Sequence, residues 1–164
     1  MTIKAMLVVL FVGVGAHAEG DAAALAKELK GVRVTLAQGL KASASKGKPI
    51  SGKFEVEDGK LQLSIYTAKD GAFSEVIVDH KTRKIAKAEP ITGGDDLTAA
   101  KAQDEAMKSA KTSLVNAVTK AERANKGYRA VSVVPAKKDG HASADVTLLK
   151  GAESKTVTEP LDQG

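Results

Sequence analysis

Apolar and polar side chains alternate along part of the chain that directly follows an amphipathic segment. From Ile50 to Val56, every second position is apolar or small, and the positions between are polar. A period of two is typical of a strand with one buried face. Upstream, Leu36 and Leu40 lie four positions apart on one stripe, which predicts a helix. The pattern therefore changes from helical to extended near Pro49.

Two Asp-Gly dipeptides divide this extended stretch into three predicted strands. Asp58-Gly59 is a strong hairpin signal, because a two-residue type I′ turn needs positive φ at both positions. Asp70-Gly71 marks a second turn, and a third strand follows over Phe73 to Val78. We expect an antiparallel meander with one apolar face, covered by the helix that Thr35 and Gln38 open with a capping box.

The same order of elements occurs a second time. Ser113 stands 78 positions after Thr35 and opens another amphipathic helix, and Asp139-Gly140 stands 81 positions after Asp58-Gly59. An offset that drifts so little favours duplication of one structural unit. We therefore predict an α+β fold of two tandem repeats, each a short leader helix plus a helix packed on a three-stranded antiparallel meander. We expect the two repeats to pack together.

The predicted boundaries follow from a signal-peptide pattern and from the positions of proline and glycine residues. Residues 1–18 resemble a signal peptide, with Lys4, a short apolar run and Ala16-His17-Ala18 as a small-x-small cleavage site. The first repeat then covers 19–89, and a connector with Pro90 and Gly93-Gly94 covers 90–96. The second repeat covers 97–164. Its leader helix is expected to run from Leu97 to about Lys108, capped by Asp95 or Asp96.

Composition limits the possible functions. The net charge is +5, but basic and acidic residues are interspersed, and the chain has three Phe, two Tyr and no Trp. Nucleic-acid proteins concentrate basic charge and use aromatic rings for stacking, so that class is disfavoured. The chain has no Cys, which excludes disulfides and thiolate sites. The expected location is the periplasm or the medium, with no stable membrane insertion after signal cleavage.

The candidate chemistry is sparse. After the predicted cleavage site the chain keeps only His80 and His141, and no Ser or Thr lies in a nucleophile motif. Neighbouring residues of a strand point to opposite faces, so Asp79 and His80 are not expected to act as a pair. We predict no enzyme activity, no catalytic or metal-ligating residues and no cofactor. A contact between His80 and His141 stays open if the repeats fold face to face.

The strand end Val78-Asp79-His80-Lys81-Thr82-Arg83-Lys84-Ile85 is similar to the closing Val-Asp-x-x-Thr-Gly-x-Ile motif of the PepSY domain. The order of helix, strand, Asp-Gly turn, strand, Gly turn and strand also resembles that family. Arg83 stands where the motif has Gly, and the second copy lacks the Asp. The resemblance spans about Asp21 to Leu161. It implies an exported module that inhibits or modulates peptidases.

These considerations predict a non-enzymatic binding or regulatory module whose partner is an envelope protein, with a peptidase as the leading candidate. The alternative is a small-ligand or cation-sensing periplasmic module. Exposed edge strands can accept an extended peptide by main-chain pairing. The expected interaction face comprises side chains on the outward face of the first meander and at its end: Lys53, Gln62, Ser64, Tyr66, Asp79 and His80.

Overall fold

The computed structural model describes residues 17–163, with side chains from Asp21 onward. The predicted signal peptide lies outside the described residues except for its last two positions, with which the first helix begins. The helices are α1 (His17–Glu28), a short 3-10 helix (Leu29–Gly31), α2 (Leu36–Ser43), α3 (Gly94–Lys108) and α4 (Leu114–Ala124). The strands are β1 (Lys48–Glu57), β2 (Lys60–Lys69), β3 (Ala72–Val78), β4 (Ile85–Ile91), β5 (Arg129–Lys138), β6 (His141–Lys150) and β7 (Glu153–Pro160).

All seven strands form one antiparallel sheet in the order β4-β3-β2-β1-β5-β6-β7. The α+β prediction is confirmed. The first half of the chain contributes four strands where three were predicted, because β4 occupies the end of the predicted first repeat and the start of the predicted connector. The joint between the halves is a short pairing of β1 with β5, in which Gly52 lies opposite Val133 and Lys53 opposite Ser132. The two halves therefore share one sheet, whereas the sequence predicted a separate three-stranded meander in each repeat.

The predicted local signals have the expected geometry. The Thr35 hydroxyl accepts from the Gln38 backbone N–H at 3.2 Å, and the Gln38 side chain accepts from the Thr35 N–H at 3.0 Å. Ser113 caps α4 through the Asn116 N–H. Asp58 and Gly59 have φ of 48° and 73°, as a type I′ turn requires. These features need only neighbouring residues, which explains why the sequence predicts them.

The apolar face of the sheet is covered by α2 and α4, which also contact each other. The fit is tight at two glycines. A Cβ on Gly39 of α2 would lie 2.6 Å from Leu63, and a Cβ on Gly52 would lie 2.6 Å from Ile65 and 3.3 Å from Leu36. Leu36, Leu63 and Ile65 are fully buried. The hydrophobic core of this layer thus lies between the helix pair and the central strands.

The second face of the sheet is partly covered by a helix. The alternation of apolar and polar residues predicted that only the apolar face would be covered. Helix α3 crosses this face and contacts β1, β2, β5 and β6. Its buried residues Ala100 and Met107 lie seven positions apart on one helix face and belong to the hydrophobic core. The sequence pattern understates this cover because the sheet presents polar side chains to it, including Ser51 and Ser64, which are buried. Helix α1 packs against β1, β6 and β7.

The two halves pair their strands in the same register. Gly52 lies opposite Ile65 in the first half, and Val133 lies opposite Val146 in the second, each 81 positions later. Both hairpins carry a bulge at matching places, between Pro49 and Ser51 and between Ala130 and Ser132. A bulge inserts one residue into one strand and redirects the side chains beyond it.

Each half also contacts the leader helix of the other through a basic side chain. The Lys48 ammonium of β1 donates to the Met107 carbonyl at the end of α3 at 2.8 Å. The Arg129 guanidinium of β5 donates to the Leu29 carbonyl just after α1 at 3.2 Å. Cations are favourable near a helix C-terminus, where the last carbonyls lack intrahelical partners. These two hydrogen bonds tie the halves together at two separate places.

Candidate functional site beneath helix α3

A solvent-open cleft lies between α3 and the second face of the sheet, at the joint between the two halves. It has a volume of about 100 Å³. We call it the α3 cleft. Its polar and exposed lining comes from α3, from the paired strands β1 and β2, and from β5: Ser51, Lys53, Tyr66, Asp96, Gln103, Ser132 and Val134. Both halves of the chain therefore contribute side chains to the cleft.

Strand alternation brings these side chains to one face. Ser51 lies opposite Tyr66 in the β1–β2 pair, and Lys53 lies opposite Ser64. Across the joint, Lys53 also lies opposite Ser132. Residues at every second position of a strand share a face, and directly paired residues do so as well. The cleft floor is thus built by register, and α3 supplies its wall.

Helix α3 is held over this floor by a specific hydrogen bond. The hydroxyl of buried Ser51 donates to the Gln103 side-chain oxygen at 2.7 Å. The Gln103 amide nitrogen makes no hydrogen bond among the described residues, so it remains a donor at the cleft. A buried hydroxyl that lost its partner would carry the full cost of its desolvation. Gln103 therefore positions the helix and lines the cleft.

A network of charged groups continues from the cleft along β1 and β2. The Lys53 ammonium lies 2.8 Å from a Glu55 carboxylate oxygen, and both side chains are about three-quarters buried, at 25% and 22% exposed. The Ser64 hydroxyl donates to the other Glu55 oxygen at 2.8 Å. Partial burial strengthens such a pair relative to a fully exposed one. The Lys53 ammonium still has further donors for another group, since it carries three.

Burial also changes the ionisation of the neighbouring strand pair. Tyr66 lies opposite Glu75 of β3. Burial, reinforced by the nearby Glu75 charge, raises the pKa of the Tyr66 hydroxyl well above its ordinary range. Burial is likewise the main cause that raises the pKa of the Glu75 carboxyl, with the Glu55 charge adding to it and the Ser64 hydroxyl opposing. Burial therefore shifts the ionisation of both groups towards higher pH.

Asp96 introduces a carboxylate into the cleft from the first turn of α3. Its Oδ1 atom is buried and has no hydrogen-bond partner among the described residues. Burial raises the pKa of the Asp96 carboxyl, the Lys53 charge opposes this, and the Asp95 and Glu55 charges add to it. An unpaired buried acceptor is unfavourable unless another group satisfies it. Asp96 therefore brings to the cleft a buried acceptor atom that has no hydrogen-bond partner among the described residues.

The raised pKa of Glu75 predicts how stability depends on pH. Because the folded state holds the Glu75 proton more tightly than the unfolded chain does, this carboxyl lowers stability as pH rises above the unfolded pKa. We expect Glu75→Gln to raise the melting temperature at neutral pH. The gain should vanish below about pH 4, where the carboxyl is protonated in both states. Thermal melts by circular dichroism across this pH range measure the effect.

The control for Glu75→Gln is Glu89→Gln, which removes an exposed carboxylate from the adjacent strand. Glu89 lies opposite Glu75 in the β3–β4 pair and is 56% exposed. It reports the general effect of changing net charge by one unit. If both variants change the melting temperature equally at every pH, burial of Glu75 is not the cause.

The structure brings together four of the six predicted interaction residues. Lys53, Gln62, Ser64 and Tyr66 lie on the sheet face toward α3, and the Gln62 amide donates to Glu57. The face is not an open one, because Ser64 is fully buried and Tyr66 lies under α3. The other two residues lie apart from the cleft, in the turn between β3 and β4.

In that turn, Asp79 has a local structural role. One Asp79 carboxylate oxygen accepts from the Lys81 N–H at 2.9 Å and from the Thr82 N–H at 2.8 Å. These backbone donors hold the pKa of Asp79 below its ordinary value. The backbone carbonyl of His80 accepts from the N–H groups of Arg33 and Val34. Its ring Nδ1 is buried and has no partner among the described residues.

His141, the other histidine weighed as a candidate, lies at the start of β6 and forms an ion pair with Asp162. The His141 Nδ1 atom is 2.7 Å from an Asp162 carboxylate oxygen, and the His141 side chain is 79% exposed. Within residues 17–163, no group of three or more His, Cys, Asp or Glu side chains is arranged to hold a metal ion. In the same range, no helix has the length and apolar character needed to cross a membrane.

Sequence reasoning missed several residues of the cleft and of the polar network beside it. Glu75 follows the β3 alternation onto the same face as Tyr66, so its sequence position carried a usable signal. Asp96 was expected to be a helix cap, but the helix begins at Gly94 with Gly93 as its N-cap, which places Asp96 inside the first turn. Gln103 and Ser132 carried no such signal, because only tertiary packing places them at the joint.

Comparison of the chain with family models, with curated proteins and with solved structures gives no match.

Proposed function

We propose that this chain is an exported, non-enzymatic module of the PepSY type that acts in the periplasm or the medium by binding an envelope peptidase and modulating it. We further propose that it consists of two copies of one unit. The copies would comprise residues 19–89 and 97–164, joined by the segment 90–96.

The shared backbone hydrogen bonds support the duplication. In the first half, the N–H groups of Arg33 and Val34 donate to the His80 carbonyl at 3.0 and 3.1 Å. In the second half, the N–H groups of Lys111 and Thr112 donate to the Leu161 carbonyl at 2.7 and 2.9 Å. The donors are 78 positions apart and the acceptors 81. These are the offsets of the caps and of the hairpin turns.

The turn that carries the family resemblance also supports the proposal. Asp79 closes it with two backbone hydrogen bonds, as an Asx turn does. Arg83 occupies the position at which the motif has Gly, and it adopts φ of 65°. Glycine adopts positive φ without the Cβ penalty that other residues bear. The backbone here thus has the conformation for which a glycine is suited.

This geometry gives a stability prediction. Arg83→Gly should raise the free energy of unfolding by about 1 kcal/mol, because it relieves the left-handed strain while removing an exposed side chain. Urea unfolding followed by circular dichroism measures the change. The control is Lys84→Gly at the next position, which is not strained and should lose about 0.5–1 kcal/mol. Equal losses at both positions would contradict the prediction.

The observation that carries the binding proposal is the outer edge of β4. This strand ends the sheet, pairs with β3 only, and is exposed along its length apart from its two half-buried terminal residues. Unpaired N–H and C=O groups on such an edge can pair with an extended segment of a partner. The exposed Lys87–Glu89 pair, 2.7 Å apart, and Pro90 limit unspecific pairing between edges.

The proposal is tested with the mature chain, residues 19–164, as bait in an envelope extract, followed by activity assays on any captured peptidase. Lys87→Pro and Ala88→Pro form a matched pair of variants. Neighbouring strand residues point their N–H groups to opposite edges, so one variant removes an outward donor and the other an inward one. We expect the variant that removes the outward N–H donor to fold normally. It should inhibit the captured peptidase at least tenfold more weakly than the unchanged chain.

The proposal fails if no peptidase is captured or inhibited, or if the well-folded proline variant inhibits as strongly as the unchanged chain. Lys87→Ala, which keeps the backbone donor, controls for the loss of the Lys87 charge. It should retain inhibition if main-chain pairing is the mode of binding.

A second candidate function is supported by the α3 cleft. In this alternative the chain is a periplasmic sensor of a small ligand. The cleft lies at the joint of the two halves, where a bound molecule contacts both, and it holds an unpaired buried carboxylate oxygen on Asp96. Calorimetric titration of the mature chain with small charged molecules tests this alternative independently of any peptidase.

A further inference from the structure

The α3 cleft contains both hydrogen-bond donors and a hydrogen-bond acceptor that have no partner within residues 17–163. The acceptor is the buried Asp96 Oδ1 atom, which has no partner among the described residues. The donors are the remaining protons of the Lys53 ammonium, the Gln103 amide nitrogen and the Ser132 hydroxyl. In the part of the chain that the structure describes, Gln103 makes only the bond from Ser51, and Ser132 makes no side-chain hydrogen bond.

The second half of the chain shows that the fold does not require these groups. At an offset of 81, Lys53 corresponds to Val134 and Tyr66 to Thr147, and the paired positions keep the same register. At the leader-helix offset of 78, Gln103 corresponds to Leu25. The second half therefore forms the same strand pairs without a lysine at the Lys53 position or a tyrosine at the Tyr66 position. The polar set of the α3 cleft is a departure from what folding needs, and such departures are expected at functional sites.

The size of the cleft restricts its occupant. A volume of about 100 Å³ corresponds to roughly three waters at their share of liquid volume. The space between α3 and the sheet therefore suits a small polar head group, and any longer part of a ligand would extend into solvent. The cation Lys53 and the anion Asp96 both line it, so a ligand with one charge of each sign satisfies both sides. A cation alone would leave the three donor groups without an acceptor.

We propose that the α3 cleft binds a small zwitterion of the α-amino-acid class, with its ammonium group on Asp96 and its carboxylate on Lys53, Ser132 and Gln103. This inference rests on the second candidate function, the sensing of a small ligand, and names its ligand class. Binding bridges α3 of the second half to β1 of the first, so the ligand stabilises the joint between the halves.

The test is a calorimetric and NMR titration of the mature chain with glycine and alanine. Methylammonium, which lacks the carboxylate, and acetate, which lacks the ammonium, serve as half-ligands. We expect glycine or alanine to bind at least tenfold more tightly than either half-ligand. Binding of methylammonium as tight as that of glycine would overturn the zwitterion class.

Variants locate the site. Asp96→Asn and Lys53→Met should each weaken glycine or alanine binding at least tenfold while the circular dichroism spectrum is unchanged. Asp95→Asn is the matched control, because Asp95 lies in the same helical turn but is exposed and does not line the cleft. If Asp95→Asn weakens binding as much as Asp96→Asn does, or if neither amino acid binds, the proposal is wrong.

The outcomes separate this inference from the function on which it rests. If a half-ligand or another small charged molecule binds in the cleft and the amino acids do not, the ligand class is wrong and the sensing function stands. If no molecule in the panel binds, both the ligand class and the sensing function are wrong. The peptidase proposal is then unaffected, because it uses the β4 edge.

Discussion

Leu40→Ala is expected to lower the free energy of unfolding by about 3 kcal/mol, the largest effect of any single substitution considered for this protein. Leu40 is fully buried on the face of α2 that packs on the sheet. Its side chain also borders the space above Gly52, where its Cδ2 atom would lie 3.3 Å from an added Cβ. The truncation leaves a cavity that rigid neighbours on the sheet cannot fill.

Urea unfolding monitored by far-ultraviolet circular dichroism measures this loss. Val56→Ala provides the control, since Val56 is 42% exposed near the end of β1 and its truncation leaves no enclosed cavity. It should cost less than about 1 kcal/mol. The transition of Leu40→Ala should remain single, because the two halves share a sheet. A loss below that of Val56→Ala would show that α2 does not pack as described.

Gly52→Ala is expected to cost about 2 kcal/mol, although it adds a single methyl group. The new Cβ would lie 2.6 Å from the Ile65 side chain and 3.3 Å from Leu36 and Leu40. The Ile65 atom is the end of its side chain, but Ile65 is fully buried and has little room to move. The clash also lies at the joint, directly opposite Val133. The strain therefore affects the contact between the halves.

The matched control is Gly31→Ala, in the short helix that follows α1. No heavy atom lies within 4 Å of a Cβ placed on Gly31. This substitution should be neutral or should stabilise the protein by up to about 1 kcal/mol, because it reduces the entropy of the unfolded chain. Thermal and urea unfolding of both variants give the comparison. If the two alanines have the same effect, close packing at Gly52 is not its cause.

Local features of the fold were predictable because a few adjacent residues determine them. The Thr35–Gln38 capping box and the Asp58-Gly59 turn depend on backbone conformation and on side chains three positions apart or fewer. The alternation from Ile50 onward gave the faces of β1 correctly. Strand β4 was not predicted, because its exposed sequence, with Lys87, Glu89 and Pro90, lacks the apolar alternation of a strand with a buried face.

The candidate site was predictable only in part, for the same reason. Lys53, Ser64 and Tyr66 share a face by strand periodicity, so their grouping follows from the sequence. Gln103 and Asp96 come from a helix 30 to 50 residues away along the chain, and no local rule states where that helix lies. The outward face was therefore expected to be open, whereas α3 covers part of it and Ser64 is buried.

By itself, the sequence predicted the capped starts of α2 and α4, the Asp-Gly hairpin turns and the side-chain faces of β1 and β2, since all depend on short-range backbone preferences. Only the tertiary structure decided that β1 pairs with β5, that all strands form one sheet, and that each leader helix accepts a hydrogen bond from the other half. Those choices depend on long-range packing, in which side chains distant in sequence compete for the same buried surface. The α3 cleft is a product of that packing, and it lies where the two halves meet.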